Sequence, residues 1–344
     1  MVRELTLTDA LELQKTQSHT LVDVRSPKEF EEATIPGSLN ISVFSNEERA
    51  EIGTLYKQVG KQAAMDRGLE IFSAKLPAFI AEFRKIGTPI TVYCWRGGMR
   101  SKTAVTVLEL MGIRANRISG GIHTYRKWVI QRLEQPFTPE LIVLNGYTGS
   151  GKTKILHKLK EDGYPVIDLE GMAGHRGSIF GQIGVKPNNQ KKFEILLAEK
   201  LDRYADEPFV FIEGESKRIG QVHMPPLLFE KKEKSPQWII QLPTKVRVDE
   251  IMSEYEPKER PEQFLEAFKL IKKRIHQPVA ADIESDLENG RFAEAVEQLL
   301  TNYYDPQYEY SVARFAVAGE HVIQAETVQE AYEECLDRCK ELKK

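Results

Sequence analysis

The chain has 344 residues, a length that favours about two domains. Hydrophobic residues make up 41% and charged residues 29%, which is the profile of a soluble globular protein and excludes disorder over the whole chain. No stretch approaches the roughly 18 apolar residues that a membrane helix needs, and the N-terminus lacks the basic and apolar regions of a signal peptide. Three cysteines, Cys94, Cys335 and Cys339, are too few for a disulfide framework. We therefore expect a cytoplasmic protein that does not bind a membrane.

The net charge of −3 hides an asymmetry between the two parts of the chain. Residues 1–136 carry 19 Lys and Arg against 15 Asp and Glu, whereas the remainder carries 29 against 36. Within the first part, residues 83–133 hold ten basic residues and one acid, Glu109. This concentration of positive charge favours an anionic partner, although a solvated surface can have the same composition.

The first part alternates strands with helices, which predicts a parallel sheet. Apolar or β-branched runs predict strands at 20–25, 89–94 and 114–119. Helical periodicity predicts helices that begin at Pro27 and that span 99–112 and 121–135, together with a long, mostly helical insert over 46–86. We assign residues 1–136 to one α/β domain.

A proline-containing stretch, 134–140, is the best boundary candidate. Beyond it the sequence predicts strands at 140–146, 164–171, 208–216 and 237–242, and a helix over 152–160. The pattern then becomes helical and charged over 245–302, and 327–344 is typical of a terminal amphipathic helix. We assign residues 137–344 to a second α/β domain with a helical C-terminal part.

The stretch "YCWRGGMRSK" (93–102) places Cys94 at the end of a predicted strand, before the glycines Gly97 and Gly98 and a helix. Backbone amides and the helix N-terminus, with Arg96 and Arg100, would lower the pKa of the thiol and hold an anionic group on it. A buried, inert thiol is the commoner role of such a cysteine, but the flanking glycines and arginines argue against it. Cys94 and Arg100 also have the C-x5-R spacing of cysteine phosphatases.

The stretch "GYTGSGKT" (146–153) is a complete G-x-x-x-x-G-K-[ST] motif between a predicted strand and a predicted helix. Amides of such a loop bind phosphate oxygens, the lysine adds a point charge, and Thr153 is a candidate ligand for Mg²⁺. The motif indicates a polyphosphate or diphosphate ligand and is weak evidence for ATP hydrolysis. The predicted diphosphate-binding residues are Gly146, Gly149, Ser150, Gly151, Lys152 and Thr153.

Other polar residues of the second half are weaker candidates for positions near the phosphates. The strand 208–216 offers glutamates where a Mg²⁺-holding aspartate is usual, and the loop 173–181 is a compact polar cluster with an equally plausible structural role. These second-rank candidates are His175, Arg176, Ser178, Glu213, Glu215 and Arg218.

The stretch "LVDVRSPKEFEEATIPGSLNI" (21–41) resembles the opening signature of the rhodanese family. The match comprises an Asp-Val-Arg triplet, a Glu-Phe pair and Ile-Pro-Gly before Asn40. The resemblance covers roughly residues 5–135. It implies a rhodanese-like fold and the transfer of a chalcogen through Cys94.

The order of motifs along the chain resembles the tRNA 2-selenouridine synthase family over roughly residues 5–225. Beyond the two loops, the stretches that carry this resemblance are "EIGTLYKQVGKQAAMDRG" (51–68), "GGIHTYRKWV" (120–129), "AGHRGSIFG" (173–181) and "ESKRIG" (215–220). The resemblance assigns no role to Cys335 or Cys339.

This resemblance implies an enzyme that replaces the sulfur of wobble 2-thiouridine in tRNA with selenium. It implies S-geranylation from geranyl diphosphate, followed by selenation from selenophosphate, with a tRNA anticodon stem-loop as partner and no firm cofactor apart from a candidate Mg²⁺. Cys94, Arg96 and Arg100 would act in catalysis, with Gly97 and Gly98 forming the loop around the sulfur.

Three alternatives remain open from the residues alone. An ATP-dependent tRNA sulfurtransferase would use a Cys94 persulfide and ATP. A nucleotide-regulated phosphatase would use the C-x5-R loop, although no general acid can be placed from the sequence. A non-enzymatic module would only sense phosphorylated metabolites.

Overall fold

A computed structural model describes residues 3–87, 89–178, 180–312 and 319–342. The chain divides into two compact units: Met1–Arg132 with Glu194–Leu196, and Leu133–Phe193 with Leu197–Lys344. The sequence placed the boundary four residues later, after residue 136. None of the described helices is long and apolar enough to cross a membrane.

The first unit is built on a parallel sheet of five strands in the order β1-β5-β4-β2-β3. The parallel sheet predicted from the sequence is confirmed, and the predicted insert contains the helices α3 and α4. The elements are β1 Glu4–Leu5, α1 Leu7–Lys15, β2 Thr20–Asp23, α2 Pro27–Glu32, β3 Leu39–Asn40, α3 Asn46–Gln58, α4 Lys61–Arg84, β4 Ile90–Tyr93, α5 Met99–Leu110, β5 Ala115–Ile118 and α6 Gly121–Leu133.

Local capping fixes where two helices of this unit begin. Ser26 and Glu29 form a capping box at α2, with Pro27 in the first turn, and Ser45 and Glu48 form a second capping box at α3. Each box satisfies backbone N–H groups that the first helical turn leaves without partners. The turns that lead from the carboxyl ends of the strands are therefore short and defined.

The first unit has a continuous apolar core between its sheet and its helices. The long helix α4 contributes Phe72, Phe79 and Phe83, which pack with Val92 of β4 and Leu108 of α5. Phe72 and Phe79 meet edge to face at 5.0 Å between ring centroids. This packing holds β4 in the centre of the sheet, immediately before Cys94.

A buried ion pair joins the carboxyl end of β2 to the loop that follows it. Arg25 donates to both carboxylate oxygens of Asp23 at 2.6–3.0 Å and to the carbonyl of Ala33, and the side chains of the ion pair are almost fully buried. Thr34 donates to Asp23 and lies 2.6 Å from the hydroxyl of Tyr93. The residues of the rhodanese-like signature thus tie the 25–35 loop to the residue that precedes Cys94.

The second unit is built on a parallel sheet in the order β12-β11-β6-β8-β7, and a short antiparallel pair, β9 and β10, lies apart from it. The elements up to the last predicted strand are β6 Glu140–Gly146, α7 Lys152–Glu161, β7 Val166–Ile167, α8 Leu169–Ala173, α9 Gln190–Arg203, β8 Phe209–Glu213, β9 Arg218–Ile219, β10 Val222–His223, α10 Pro226–Glu233 and β11 Gln237–Gln241.

The helical C-terminal part confirms the predicted helical run and extends it beyond residue 302. Two 3-10 turns, Pro257–Glu259 and Lys272–Arg274, and a π-helical turn, Leu300–Tyr304, interrupt it. The remaining elements are α11 Thr244–Tyr255, α12 Pro261–Ile271, α13 Gln277–Glu288, α14 Phe292–Leu299, α15 Asp305–Val312, β12 Glu320–Gln324 and α16 Val328–Leu342.

Two parts of the second unit differ from the sequence prediction. The strand predicted over 164–171 is only two residues long, because Asp168 caps α8 by accepting from the N–H of Gly171. The edge strand β12 was not predicted, and it pairs in parallel with β11. The last helix, predicted to residue 344, is described to Leu342.

Cys335 and Cys339 of α16 are buried in the apolar core beneath the sheet of the second unit. Burial, with a smaller contribution from Cys339, raises the pKa of Cys335 to about 12. A thiol held so strongly in its neutral form is a poor nucleophile. These two cysteines therefore have a packing role in this structure.

Replacing Arg25 with alanine should leave the Asp23 carboxylate buried without its cation. Loss of one partner of a buried ion pair costs about 3–5 kcal/mol. We expect Arg25→Ala to lower the free energy of unfolding of the first unit by this amount, measured by hydrogen exchange of the β2 and β4 amides. Lys28→Ala, at an exposed position nearby, should leave exchange unchanged. Equal protection in both variants would contradict the role of the ion pair.

Candidate functional site

The loop after β4 turns sharply so that α5 can begin at Met99. Gly97 adopts a φ of +62°, and a Cβ there would lie 3.0 Å from the amide nitrogen of Gly120. Gly121, with a φ of +57°, comes closer still, because its Cβ would lie 2.2 Å from the Cys94 carbonyl oxygen. The carbonyl of Cys94 accepts from the N–H of Ile122. Glycine is therefore required on both sides of this contact.

Cys94 is buried, with 3% of its surface exposed. Its Sγ lies 3.2 Å from Oγ of Ser101 and 4.0 Å from the carbonyl oxygen of Gly98. Sequence reasoning missed Ser101, which follows Cys94 by seven residues and lies in the first turn of α5. Its hydroxyl can donate to a thiolate or to an atom carried on the sulfur.

The two arginines predicted beside Cys94 differ in their surroundings. Arg96 is exposed. Arg100 donates to the carboxylate of Glu29, at 2.6 Å to Oε2 and 3.1 Å to Oε1. Burial alone would raise the pKa of Glu29, but its contacts with Arg100, Ser26 and Arg49 lower it overall, so Glu29 remains ionised. The positive charge that Arg100 was predicted to bring to the loop is therefore balanced by Glu29.

Acids from outside the basic segment 83–133 also reduce its charge. Arg117 pairs with Glu4 and also donates to the carbonyl of Gly97 at 2.7 Å, and Lys85 pairs with Glu82. Several cations of the segment remain exposed at the surface, and these are Arg84, Arg96, Lys102, Arg114 and Lys127.

In the second unit, the loop between β6 and α7 depends on three glycines. Gly149 and Gly151 have φ values of +80° and +72°, and a Cβ on either would lie within 2.8 Å of neighbouring atoms, including the carbonyl of Arg247 and a methyl of Val328. Gly146 has a φ of +147°, and a Cβ there would lie 2.6 Å from the carbonyl of Ile240. The predicted phosphate loop therefore has the close packing that only glycine permits.

Two polar groups of this loop are available to a ligand. Lys152 donates to the carbonyls of Gly146 and Tyr147, at 2.9 and 3.2 Å, so its ammonium group lies over the loop. Oγ of Ser150 is buried and has no hydrogen-bond partner among the described residues. A buried hydroxyl without a partner is costly, and a phosphate oxygen would satisfy it.

Thr153 connects the loop to two buried glutamates. Its Oγ1 donates to Glu170 at 3.1 Å and to Glu213 at 3.2 Å, and the N–H of Glu170 donates to Glu213 at 2.8 Å. Burial, and then the charges of neighbouring carboxylates, raises the pKa of both glutamates. The pair therefore holds at least one proton near neutral pH. Glu170 was not among the residues predicted from the sequence.

A cleft of about 540 Å³ opens beside the phosphate loop, and Glu215, His175, Arg176 and Ser178 line it. Arg176 pairs with Glu254 at 3.4 Å and lies over the ring of Tyr255.

Among the other second-rank residues, Ser178 stabilises its own loop, because its hydroxyl accepts from the N–H of Phe180 at 3.1 Å and lies 3.0 Å from the hydroxyl of Tyr255 on α11. His175 carries a buried Nδ1 without a partner among the described residues, and burial lowers its pKa. Arg218 donates to the carbonyl of Gly220 and does not line this cleft.

Arg247 is a further residue that the sequence did not single out. Its Nε donates to the carbonyl of Thr148 at 2.9 Å, and its guanidinium pairs with both oxygens of Asp305. The guanidinium also lies 4.9 Å from the centre of the Tyr147 ring. Arg247 therefore fixes the phosphate loop from α11. No local motif signals this role, since 99 residues separate Arg247 from Thr148.

The raised pKa values of Glu170 and Glu213 predict how stability depends on pH. A carboxyl whose pKa is higher in the folded state than in the unfolded state stabilises the fold below the unfolded value, 4.5, and this contribution is lost as the pH rises through the folded value. We expect the melting temperature of the second unit to decrease as the pH rises from 6 to 9.

A neutral isostere should weaken that dependence. Glu170→Gln keeps the acceptor for Thr153 and removes the ionisation, so its melting temperature should change less between pH 6 and pH 9. Glu161→Gln, at an exposed position on α7, should behave as the wild type. The same slope in all three proteins, measured by calorimetry, would show that the pair is already ionised.

Comparison with known proteins places both units. The family model of the tRNA 2-selenouridine synthase AAA domain matches residues 139–340, and that of the rhodanese-like domain matches residues 6–127. The tRNA 2-selenouridine synthase of Bdellovibrio bacteriovorus is 32% identical over 343 residues, covering 87% of this chain and 90% of that relative. That of Sulfurovum sp. is 32% identical, covering 86% and 89%, and that of Nitrosomonas europaea is 31% identical, covering 86% and 89%. The resemblance found in the sequence is confirmed: the chain belongs to the tRNA 2-selenouridine synthase family.

Proposed function

We propose that this protein replaces the sulfur of wobble 2-thiouridine in tRNA with selenium. One observation carries the proposal: a chain of this family combines a glycine-built cysteine loop with a complete phosphate loop, each at the carboxyl end of a parallel strand. The first unit would handle the chalcogen, and the second would bind a diphosphate. Named relatives of similar length support the same activity.

The first proposed step takes place at the phosphate loop. The thiocarbonyl sulfur attacks C1 of geranyl diphosphate, the C–S bond forms, the C–O bond breaks, and diphosphate leaves as the base loses its N3 proton. Negative charge grows on the leaving diphosphate, where Lys152 and the loop amides stabilise it. The Ser150 hydroxyl, which has no hydrogen-bond partner in the described part of the chain, supports a phosphate oxygen at this position.

The donor atoms around Thr153 fit a Mg²⁺ ion bound with the diphosphate. Mg²⁺ prefers oxygen ligands and is commonly held by one or two carboxylates together with phosphates and water. Thr153, Glu170 and Glu213 would hold it, once the two glutamates have lost the proton that they share. The ion would supply positive charge to the leaving diphosphate.

The second proposed step takes place at Cys94. Selenium from selenophosphate bonds to C2 of the base while the C2–S bond breaks, geranylthiolate leaves and takes up a proton, and water cleaves the P–Se bond to release phosphate. Cys94 and the amides around it would guide the selenium, with Ser101 and the exposed Arg96 as its polar neighbours. S-alkylation helps, because the alkylated sulfur leaves more readily than a thiocarbonyl sulfur.

Mass spectrometry of tRNA nucleosides tests the proposal. The tRNA is taken from cells that lack this protein and from cells that express it, and the modified wobble uridines are identified. We expect wild type to produce 2-selenouridine. Cys94→Ala should accumulate S-geranyl-2-thiouridine, because only the second step needs the thiol. Lys152→Ala should leave 2-thiouridine, because the first step needs the lysine.

Two variants serve as controls for these substitutions. Lys160→Ala removes an exposed lysine from the same helix as Lys152, and Cys339→Ala removes a buried thiol far in sequence from Cys94. Both should produce 2-selenouridine. Unchanged nucleosides with wild type in selenium-replete cells would contradict the proposal and favour the ATP-dependent or phosphatase alternatives.

Exposed cations of the first unit should contribute to tRNA binding through phosphate contacts. We expect Lys102→Ala to weaken tRNA binding for all sequences alike and to reduce the slope of log Kd against log salt by about 1. Fluorescence anisotropy over a salt series measures both quantities. Lys234→Ala, at an exposed position in the second unit, is the matched control. If Lys102→Ala and Lys234→Ala gave the same slope of log Kd against log salt, the tRNA would not contact the surface around Lys102.

A further inference from the structure

The first unit contains an apolar groove that has no role in the chemistry proposed for the cysteine loop or the phosphate loop. Helices α3 and α4 form its walls, and the first turn of α5 closes one side. Its volume is about 850 Å³. Val43, Phe44, Ile52, Ala64 and Phe72 form its apolar lining.

Large apolar side chains stand exposed at this groove. Leu69 is 68% exposed, Tyr56 59%, Met99 53% and Met65 38%. Single exposed apolar residues are common, but a cluster around a concave apolar surface marks a binding site.

Glycine on α4 keeps the groove open. A Cβ at Gly68 would make ordinary van der Waals contact, 3.4 Å from Phe44 and 3.5 Å from Ile52, so a side chain larger than alanine would fill the floor. The groove is therefore a feature of the sequence of these helices, with a small residue where they approach each other.

The groove adjoins the loop that carries Cys94. Met99, Arg100 and Thr103 line it from the start of α5, and Met99 directly follows the Gly97–Gly98 pair. Cys94 itself belongs to the same apolar core as Phe44 and Phe72. An apolar group bound in the groove would thus lie on the side of α5 that leads to the thiol loop.

Basic side chains outnumber acidic ones around this apolar space, where Asp66 is the one acid among the described residues that line it. Lys57 and Lys61 line the groove and are exposed, at the end of α3 and the start of α4. Arg49 and Arg100 share the carboxylate of Glu29. An apolar floor with the exposed lysines Lys57 and Lys61 at its edge is complementary to an apolar chain attached to a polyanion.

We propose that this groove binds the geranyl chain of the S-geranylated tRNA while selenium replaces its sulfur. The inference rests on the proposed function and adds a location to it. The ten-carbon chain lies along the apolar floor, Lys57 and Lys61 contact RNA phosphates, and the thioether sulfur points to the Cys94 loop. After the C2–S bond breaks, the groove retains geranylthiol.

The test uses the full chain and anticodon stem-loop RNA carrying S-geranyl-2-thiouridine, S-methyl-2-thiouridine or 2-thiouridine. Each buried methylene strengthens binding by about fourfold, so burial of even a few carbons gives at least tenfold. We expect wild type to bind the geranyl RNA at least tenfold more tightly than the methyl RNA, measured by fluorescence anisotropy.

Charged substitutions at the groove should remove the preference for geranyl RNA over methyl RNA and leave other RNA binding unchanged. Leu69→Lys and Met65→Lys change exposed positions, so the fold should persist. Both variants should bind geranyl RNA and methyl RNA with equal Kd. Their affinity for 2-thiouridine RNA should stay that of the wild type. In cells both should accumulate S-geranyl-2-thiouridine. Leu110→Lys, an 80% exposed leucine of α5 outside the groove, is the control and should retain the preference.

The outcomes separate this inference from the proposed function. If wild type produces 2-selenouridine and the groove variants retain the tenfold preference, the inference is wrong and the function stands. If wild type produces no 2-selenouridine, the proposed function fails first. A change of oligomeric state in Leu69→Lys with the preference intact would show that a second copy of the chain covers the groove.

Discussion

Both candidate sites depend on the same constraint. Each loop lies at the carboxyl end of a parallel strand and has a backbone conformation that only glycine can adopt. In the first unit the backbone at Gly121 comes so close to the carbonyl of Cys94 that a Cβ would lie 2.2 Å away. In the second, Gly149 and Gly151 have positive φ, and a Cβ on either would lie within 3 Å of α11 or of Val328. Such backbones expose successive N–H groups to an anion. This geometry supports the proposed sites, because a Cβ at these positions would keep an anion away from the main chain.

The two units handle charge near these loops in opposite ways. In the first, the cation Arg100 is neutralised by Glu29, whose pKa is lowered by that contact against the effect of burial. In the second, burial raises the pKa of Glu170 and Glu213, so the acids near the phosphate loop are partly neutralised by a proton. A carboxyl that keeps its proton does not repel an incoming phosphate. In the proposed function that proton must leave before the same oxygens can bind Mg²⁺, so the proposal makes metal binding depend on pH.

How much could be read from the sequence depended on how local each signal was. The two glycine loops, Cys94, Lys152 and the alternation of strands and helices are encoded within short stretches, and their positions were predicted. Contacts between distant residues were not: Glu29 lies 71 positions before Arg100, and Arg247 lies 99 after Thr148. The strand predicted over 164–171 ended early because a single cap at Asp168 began a helix. The edge strand β12 was not predicted, because apolar and polar residues alternate only weakly along it and three of its five residues are exposed.

The contrast among the three cysteines shows why surroundings decide reactivity. Cys335 and Cys339 lie inside a helix within an apolar core, where burial raises the pKa of Cys335 to about 12. Cys94 is as deeply buried, yet its sulfur faces the hydroxyl of Ser101 and the N-terminal end of α5. A neutral thiol gains from an apolar core, whereas an anion on sulfur gains from N–H groups and a hydroxyl. Burial at Cys94 therefore shields the sulfur from water while the Ser101 hydroxyl and the start of α5 lie beside it, as the proposed role requires.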